Sequence, residues 1–126
     1  MTEINQVYRC SVCGNIVEVR HTGGGELVCC SQPMNLLVAN TQDAATEKHV
    51  PVVTRTEEGV EVRVGEVDHP MDDDHYIEWI TLVTENKTKT VYLAPGDEPR
   101  SIFKTTAESG VVYEYCNLHG LWKIEI

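Results

Sequence analysis

The sequence predicts an all-β protein in which a small metal-bound N-terminal domain precedes an antiparallel β-sandwich. Four of the five cysteines lie within the first 30 residues, a segment too poor in apolar side chains to fold around a core of its own. From residue 50 onward, short runs rich in β-branched and aromatic residues alternate with turn signals, and no helical periodicity lasts for three turns. We place the boundary near residue 38, which gives domains of residues 1–38 and 39–126.

The first domain is predicted to form around four cysteines with the spacing Cys-x-x-Cys, fifteen residues, Cys-Cys. They are Cys10, Cys13, Cys29 and Cys30. Gly14 follows the first pair and allows the positive φ at which backbone N–H groups point toward sulfur atoms. The adjacent pair is expected to strain a tetrahedral site, because neighbouring side chains leave an extended backbone on opposite sides. Zinc and iron both fit these ligands, and the spacing alone does not choose between them.

Short strands are predicted on both sides of the cysteine pairs. They lie at residues 7–9 and 15–19, and a glycine-rich hairpin loop at 21–25 leads into residues 26–28 and the second pair. A polar connector then begins at residue 40, and its residues 44–47 could form a single helical turn.

Seven strands are predicted for the second domain, with turns rich in glycine, proline, asparagine and aspartate between them. They span residues 50–56, 60–64, 75–84, 89–93, 101–105, 111–116 and 121–126. Val60, Val62 and Val64 alternate with charged residues, so this strand is expected to bury one face only. Trp79 and Trp122 are predicted to be core aromatic residues.

A second metal site is suggested by the run Glu114-Tyr115-Cys116-Asn117-Leu118-His119-Gly120, which sets a thiol and an imidazole three residues apart. Five nitrogen and sulfur donors stand at predicted strand ends or in loops: His49, His69, His75, Cys116 and His119. Together they exceed the four ligands of a structural zinc and hold too many imidazoles for an iron–sulfur cluster, so a redox iron with one open position fits best. Two interpretations stay open at this point, a shared site and histidines scattered over surface and core.

The charge of the chain argues against nucleic acid as a partner. Residues 39–126 hold 8 of the 10 basic and 17 of the 20 acidic side chains, a net charge of −9, which would repel a phosphate backbone. The first residues lack a signal-peptide pattern, and no apolar run approaches the length of a membrane span, so no membrane association is expected. Five cysteines cannot all pair in disulfides, and we expect a reducing, cytoplasmic location.

With these residues identified, the chain resembles the desulfoferrodoxin family, the two-iron form of superoxide reductase, over nearly its whole length. The resemblance is carried by Tyr8-x-Cys10-x-x-Cys13-Gly14-Asn15 with Cys29-Cys30, by Glu47-Lys48-His49-Val50-Pro51, by His69-Pro70-Met71 with His75, and by the Cys116 run followed by Trp122. It implies a desulforedoxin-like first domain, an immunoglobulin-like sandwich and a homodimer. The chain departs from the family at Asp72-Asp73-Asp74, where Glu-Glu-Lys is frequent, and at Leu121, where histidine is frequent.

The resemblance also implies two iron centres. The first is a tetrathiolate iron held by Cys10, Cys13, Cys29 and Cys30. The second is a catalytic iron with His49, His69, His75 and His119 as equatorial ligands and Cys116 as the axial ligand. The implied activity is the one-electron reduction of superoxide to hydrogen peroxide, a detoxification in anaerobes or microaerophiles, with rubredoxin as electron donor. Glu47 is implied as the carboxylate that occupies the open position of the ferric iron.

Lys48 stands next to His49 in a domain of net charge −9, and we predict a guiding role for it, although composition alone would favour one more solvated lysine. A local cation there would guide an anionic substrate to the iron.

Two other functions compete with superoxide reduction. A blue-copper domain would also use histidine and cysteine, but no methionine follows His119 to supply its usual axial thioether. A pair of zinc-stabilised interaction modules would carry no chemistry at all.

Overall fold

The computed structural model describes residues 1–41 and 49–126, and these form twelve short strands and no helix. The predicted all-β class is thereby confirmed. The chain divides into two units, Met1–Val38 and Ala39–Ile126. Among the described residues, no helix has the length and apolar character that crossing a bilayer requires. The predicted helical turn at 44–47 lies outside the described residues.

The first unit contains five very short strands, β1 to β5. They are β1 (Val7–Arg9), β2 (Ile16–Glu18), β3 (Val28–Cys29), β4 (Gln32–Pro33) and β5 (Asn35–Leu36). One sheet has the order β2-β1-β5, and β3 pairs with β4 alone. The prediction of a hairpin across the glycine-rich loop was therefore wrong. Strand β2 pairs with β1 instead, because the tight turn between Cys10 and Asn15 brings these two strands together, with the Cys10 N–H donating to the Asn15 carbonyl at 2.9 Å.

The adjacent cysteines occupy a hairpin turn rather than an extended strand. Cys29 pairs with Gln32, and the two residues between them, Cys30 and Ser31, have φ angles of 53° and 61°. Positive φ at both central positions is the signature of a type I′ turn. Its curvature brings the sulfurs of Cys29 and Cys30 to 3.9 Å. The strain expected at a tetrahedral site is thus carried by the backbone of two non-glycine residues in the left-handed region.

The second unit is a two-layer sandwich of the seven strands that the sequence predicts. They are β6 (Pro51–Thr56), β7 (Gly59–Val64), β8 (Ile77–Thr84), β9 (Lys87–Tyr92), β10 (Arg100–Lys104), β11 (Val111–Cys116) and β12 (Gly120–Glu125). One sheet has the order β10-β7-β6 and the other β12-β11-β8-β9, and every pairing is antiparallel.

The hydrophobic core of the second unit lies between these two sheets. Its fully buried members include Val60, Val62 and Val64, which confirms the one-sided burial predicted for β7. Trp79 is not part of this core, contrary to the prediction. It lies on the opposite face of β8, half-buried, and its ring stacks on Tyr115 with centroids 5.6 Å apart. The reason is register, since Ile80 takes the inward position next to it.

A β-bulge sets the end of β11. Tyr115 pairs with Trp79 but Cys116 pairs with Ile77, so Glu78 is an extra residue in the facing strand. Bulges of this kind increase the local twist and redirect a side chain. The β11–β12 hairpin then closes through three residues, and Gly120 adopts the φ of +87° that this connection needs. Cys116 consequently ends its strand fully buried, beside a tight loop.

The two glycines Gly59 and Gly96 provide a matched test of the packing between β7 and β10. A Cβ on Gly59 would stand 2.0 Å from the Phe103 carbonyl oxygen, whereas a Cβ on Gly96, which also has positive φ, would meet nothing within 4 Å. We expect Gly59→Ala to lower the free energy of unfolding by about 3 kcal/mol or more. Gly96→Ala should cost only about 1 kcal/mol, from backbone strain alone. Urea unfolding followed by tryptophan fluorescence reports the second unit selectively, because both tryptophans lie there. Equal losses would contradict the close approach at Gly59.

Candidate metal centres

The four cysteines of the first unit bring their sulfur atoms together. Cys10, Cys13, Cys29 and Cys30 lie within 4.8 Å of one another, and the Cys13 and Cys29 sulfurs are 3.5 Å apart. Four sulfurs bound tetrahedrally at about 2.3 Å from one metal ion would be about 3.8 Å apart. The observed spacing therefore fits a tetrathiolate metal centre. None of the five cysteines, all of which belong to described residues, forms a disulfide.

Hydrogen bonds and crowding give these thiols unequal acidity. The Cys13 N–H donates to the Cys10 sulfur at 3.5 Å, and this bond lowers the pKa of Cys10 to about 6. Hydrogen bonding to the Cys13 sulfur raises the pKa of Cys29 and raises that of Cys30 to about 12. The Cys10 thiolate thus forms readily, while the raised pKa values of Cys29 and Cys30 favour their protonated thiols. A bound cation would remove this conflict, because it stabilises all four thiolates together.

The four predicted histidines of the second unit form a closed ring of imidazoles. Consecutive centroids are 4.6 Å apart for His49 and His69, 4.8 Å for His69 and His75, 5.2 Å for His75 and His119, and 4.8 Å for His119 and His49. Each neighbouring pair meets edge to face, at interplanar angles between 62° and 87°. Cys116 joins the ring, and one donor atom from each of the five residues lies within 4.8 Å of the others.

These five residues come from loops and strand ends at one end of the sandwich. His49 precedes β6, His69 lies between β7 and β8, and His75 sits in the turn just before β8. Cys116 ends β11, and His119 belongs to the loop that leads into β12. His49, His69 and Cys116 are buried, His75 is half-buried and His119 is exposed. The cluster is therefore closed toward the core and accessible on the side of His75 and His119.

A hydrogen bond from outside the cluster orients one of the donors, His69. The Nδ1 atom of His69 lies 2.8 Å from the Pro70 carbonyl oxygen, which can only accept, so Nδ1 carries the proton and Nε2 keeps the lone pair. The Nδ1 atom of His119 faces the Cys116 sulfur at 3.7 Å. That contact joins two donors of the cluster, whereas the His69–Pro70 bond lies outside it, and such outer hydrogen bonds fix the tautomer and ring orientation of a histidine ligand.

Trp122 contacts two histidines of the cluster directly, which the sequence did not indicate. Its ring stacks on His49 with centroids 4.7 Å apart and an interplanar angle of 14°. Its Nε1–H donates to the His119 carbonyl oxygen at 3.1 Å. The prediction of Trp122 as a core residue holds for its burial, but its ring supports the histidine cluster. The only sequence signal was its position two residues after Gly120.

The donor set of the second unit suits a redox iron. Two ligands on opposite sides of one metal ion, each about 2.1 to 2.3 Å from it, would be about 4.2 to 4.6 Å apart, within the observed limit of 4.8 Å. Four imidazoles and one thiolate give five donors, one fewer than an octahedral ion accepts. Glu47 and Lys48, the predicted carboxylate and substrate-guiding cation, lie outside the described residues.

One acidic residue near the cluster was not singled out from the sequence. Glu114 is fully buried on the inward face of β11, two residues before Cys116. Its alternation with Val112 and Cys116 predicts this burial, but an acidic side chain in such a pattern is easily assigned to the solvent face.

Comparisons with known proteins agree on one family. The profile described as desulfoferrodoxin matches residues 41–125, and that of the desulfoferrodoxin N-terminal domain matches residues 2–37. The chain is 54% identical over 125 residues to desulfoferrodoxin of Syntrophotalea carbinolica, covering 99% of both chains. It is 38% identical over 99 residues to superoxide reductase of Pyrococcus horikoshii, covering 64% of this chain and 86% of that protein.

Its fold is similar to the crystal structure of the superoxide reductase from Treponema pallidum. The TM-score is 0.74 at 30% sequence identity, over 94% of this chain and 95% of that chain. The similarity therefore extends over both units.

Replacement of Trp122 separates its two contacts with the histidine cluster. Trp122→Phe keeps an aromatic ring for stacking on His49 but cannot donate to the His119 carbonyl. We expect about 1 kcal/mol less stability and about tenfold faster loss of metal from the histidine cluster to a chelator, the lower end of the range for lost outer contacts. Trp79→Phe is the control, because that ring stacks on Tyr115 away from the cluster. Identical metal loss from the two variants would show that the Trp122 hydrogen bond does not support the site.

Proposed function

The chain belongs to the desulfoferrodoxin family, and on that premise we propose that it is a superoxide reductase. The observation that carries the proposal is the convergence of four imidazoles and one thiolate within 4.8 Å at one end of the sandwich. A relative of this chain in Pyrococcus horikoshii and a structural neighbour from Treponema pallidum are superoxide reductases. We assign catalysis to residues 39–126 and a tetrathiolate iron to residues 1–38.

The residues proposed to hold the catalytic iron are His49, His69, His75, His119 and Cys116. A ferrous ion there would supply the one electron that, with two protons, converts superoxide to hydrogen peroxide. The neutral imidazoles leave the Cys116 thiolate as the one anionic donor of the set, and a thiolate raises the electron density available for that transfer. Burial of Cys116 keeps water from its sulfur, and burial of His49 and His69 restricts access to one side.

Substrate entry is proposed on the side of His75 and His119. His119 is exposed, and the adjacent Leu118 has 59% of its surface accessible, so this side is open to a small anion. Lys48 and Glu47 directly precede His49 in sequence. We assign Lys48 to guiding superoxide by its charge and Glu47 to occupying the open position once the iron is oxidised.

The reaction needs an external electron donor and a reducing compartment. Each turnover consumes one electron, so a one-electron carrier, for which we propose rubredoxin, must restore the ferrous state. The absence of disulfides among the five cysteines supports a cytoplasmic location, because both centres require reduced thiols. We further propose a homodimer, on the family resemblance alone.

The two competing functions fit the site less well. A blue-copper centre uses two histidines, one cysteine and a weak thioether, which leaves two imidazoles of the ring without a role. Met71, the last methionine of the chain, packs against the core, and its sulfur accepts the Ile77 N–H at 3.4 Å. Purely structural zinc would take four ligands, not five. Metal analysis with a visible spectrum separates the three: two iron per chain, one copper, or colourless zinc.

The decisive assay of the function follows superoxide and its products together. Reduced protein exposed to superoxide should release one molecule of hydrogen peroxide for each superoxide that it consumes. The reaction with the protein should form no dioxygen. Formation of dioxygen and peroxide in equal parts would show dismutation and contradict the proposal.

The two centres should be separable by cysteine variants, because no donor of one lies within the unit that builds the other. Cys13→Ser should spoil the tetrathiolate centre and leave peroxide production from superoxide largely unchanged. Cys116→Ser should abolish the thiolate-to-iron absorption of the second centre and most turnover, while the four imidazoles retain some metal. Metal content, visible spectra and superoxide consumption of both variants provide the measurement. Loss of fast superoxide consumption in a folded, iron-loaded Cys13→Ser variant would refute the assignment of catalysis to the second unit.

Lys48→Ile should slow the reaction with superoxide. One unit charge about 6 Å from the substrate contributes about 0.7 kcal/mol at the dielectric constant of water and about 3 kcal/mol at an effective value near 20, or a few-fold to about a hundredfold in rate. The parent rate should fall as salt is added, and the variant rate should stay flat or rise because only repulsion remains.

Pulse radiolysis across a salt series measures both effects. The control is Lys87→Ile, since Lys87 begins β9 beside the end of β8 that lies farthest from His75. Eight residues of strand span about 26 Å, well beyond a Debye length of about 8 Å. Equal rates and parallel salt slopes in all three proteins would show that Lys48 does not guide the substrate.

A further inference from the structure

Asn117 joins the Cys116–His119 loop to the segment that carries His75. Its side-chain Oδ1 accepts the Tyr76 N–H at 2.9 Å, and its Nδ2 donates to the Asp74 carbonyl oxygen at 2.9 Å. Its own backbone N–H donates to the Tyr76 carbonyl oxygen at 3.2 Å. Three hydrogen bonds thus connect one residue to both chain neighbours of His75, across 41 to 43 positions of sequence.

The segment around His75 has little regular structure of its own. It is a tight turn in which the backbones of Asp72 and His75 pair, with N–H to carbonyl distances of 2.9 and 3.2 Å. Strand β8 begins only at Ile77. The turn fixes the shape of the segment, whereas the Cys116–Ile77 pairing and the Asn117 hydrogen bonds connect it to the loop of Cys116 and His119.

A carboxamide is the side chain that this position requires. The Tyr76 N–H needs an acceptor and the Asp74 carbonyl needs a donor, and asparagine presents both from one planar group. Aspartate would keep the acceptor and lose the donor, and alanine would lose both. The Tyr76 N–H is partly buried, so losing its acceptor is costly, whereas the bond to the Asp74 carbonyl oxygen lies at an exposed position where water can replace the donor.

We propose that Asn117 is a positioning residue of the iron centre, holding the His75 imidazole in register with Cys116 and His119. This inference rests on the proposed function only in taking these side chains as metal ligands. It assigns no contact between Asn117 and the substrate. Outer-shell groups that orient a ligand change metal affinity or activity by about 10-fold to 100-fold when they are lost. Loss of the Asn117 side chain should therefore weaken the retention of the metal and alter its electronic environment. Both effects can be measured without an assay of turnover.

The experiment measures iron release to an excess of a coloured chelator from the iron-loaded full-length chain. Asn117→Ala should release iron from the second centre about 10 to 100 times faster than the parent. Its thiolate-to-iron absorption in the oxidised protein should shift in energy but persist, because Cys116 remains a ligand. Asn117→Asp should release iron at an intermediate rate. The tetrathiolate centre of the same molecule is the internal control, and its release rate should not change.

Arg55→Met is the matched control variant. Arg55 also joins distant backbone groups, since it donates to the carbonyl oxygens of Ala107 at 2.8 Å and Glu108 at 2.6 Å. Its loss should lower stability without altering iron release or the absorption of the second centre. An equal acceleration in Arg55→Met would show that release follows general destabilisation, and the proposal would be overturned.

A double-mutant cycle tests whether Asn117 acts through His75. In a His75→Ala background, Asn117→Ala should change iron release by less than about twofold, because the ligand it positions is gone. In a His49→Ala background it should keep its full effect. Additive effects in both backgrounds, or a parent-like spectrum and release rate in Asn117→Ala alone, would overturn the proposal. A parent protein without thiolate-to-iron absorption would instead refute the proposed function.

Discussion

The gathering of a buried thiol and four imidazoles within 4.8 Å is the constraint on which the second unit depends. Lone pairs and a thiolate that face one another in a site shielded from water repel unless a cation stands among them. No single segment can supply such a set, because side chains close in sequence leave a strand on opposite faces. The sandwich meets the requirement because β11 ends, and β6, β8 and β12 begin, at the same end of the sandwich.

Side chains that are not metal donors themselves determine how precisely the donors of the cluster are positioned. Trp122 joins His49 to the His119 peptide, and Asn117 joins His75 to the same loop. The bulge beside Cys116 directs the thiol inward at the point where the hairpin turns. Trp122 and Asn117 each link two ligands rather than supporting one, so four of the five donors, all but His69, are connected through the Cys116–His119 loop. Donors connected in this way suit a metal that changes oxidation state, because little reorganisation accompanies the change.

The fold class, the seven sandwich strands and the cysteine cluster could be predicted from local composition, alternation and spacing. The histidine cluster was only one of two interpretations of the residues, and the family resemblance implied its full set of ligands. The features that the sequence did not reveal depend on tertiary register, on contacts between distant residues or on an unfavourable local backbone conformation. Trp79 was predicted inside, yet Ile80 occupies the inward position. The I′ turn at Cys30 and Ser31 was missed because neither residue favours positive φ. Asn117 resembled an ordinary turn residue, and no sequence pattern indicates its hydrogen-bond partners, which lie 41 to 43 positions away.

The spacing of the donors along the chain differs greatly between the two centres. The cysteine cluster lies within residues 10–30, whereas the histidine cluster extends from residue 49 to residue 119. A ribosome that has exposed the first forty residues has already presented every thiol of the first cluster to the available metal. The second cluster exists only after the C-terminal hairpin has been synthesised and paired across the sheet. The donors of the two clusters therefore become available in a fixed order during synthesis, and all four thiols of the first cluster are present before the last donors of the second have been translated.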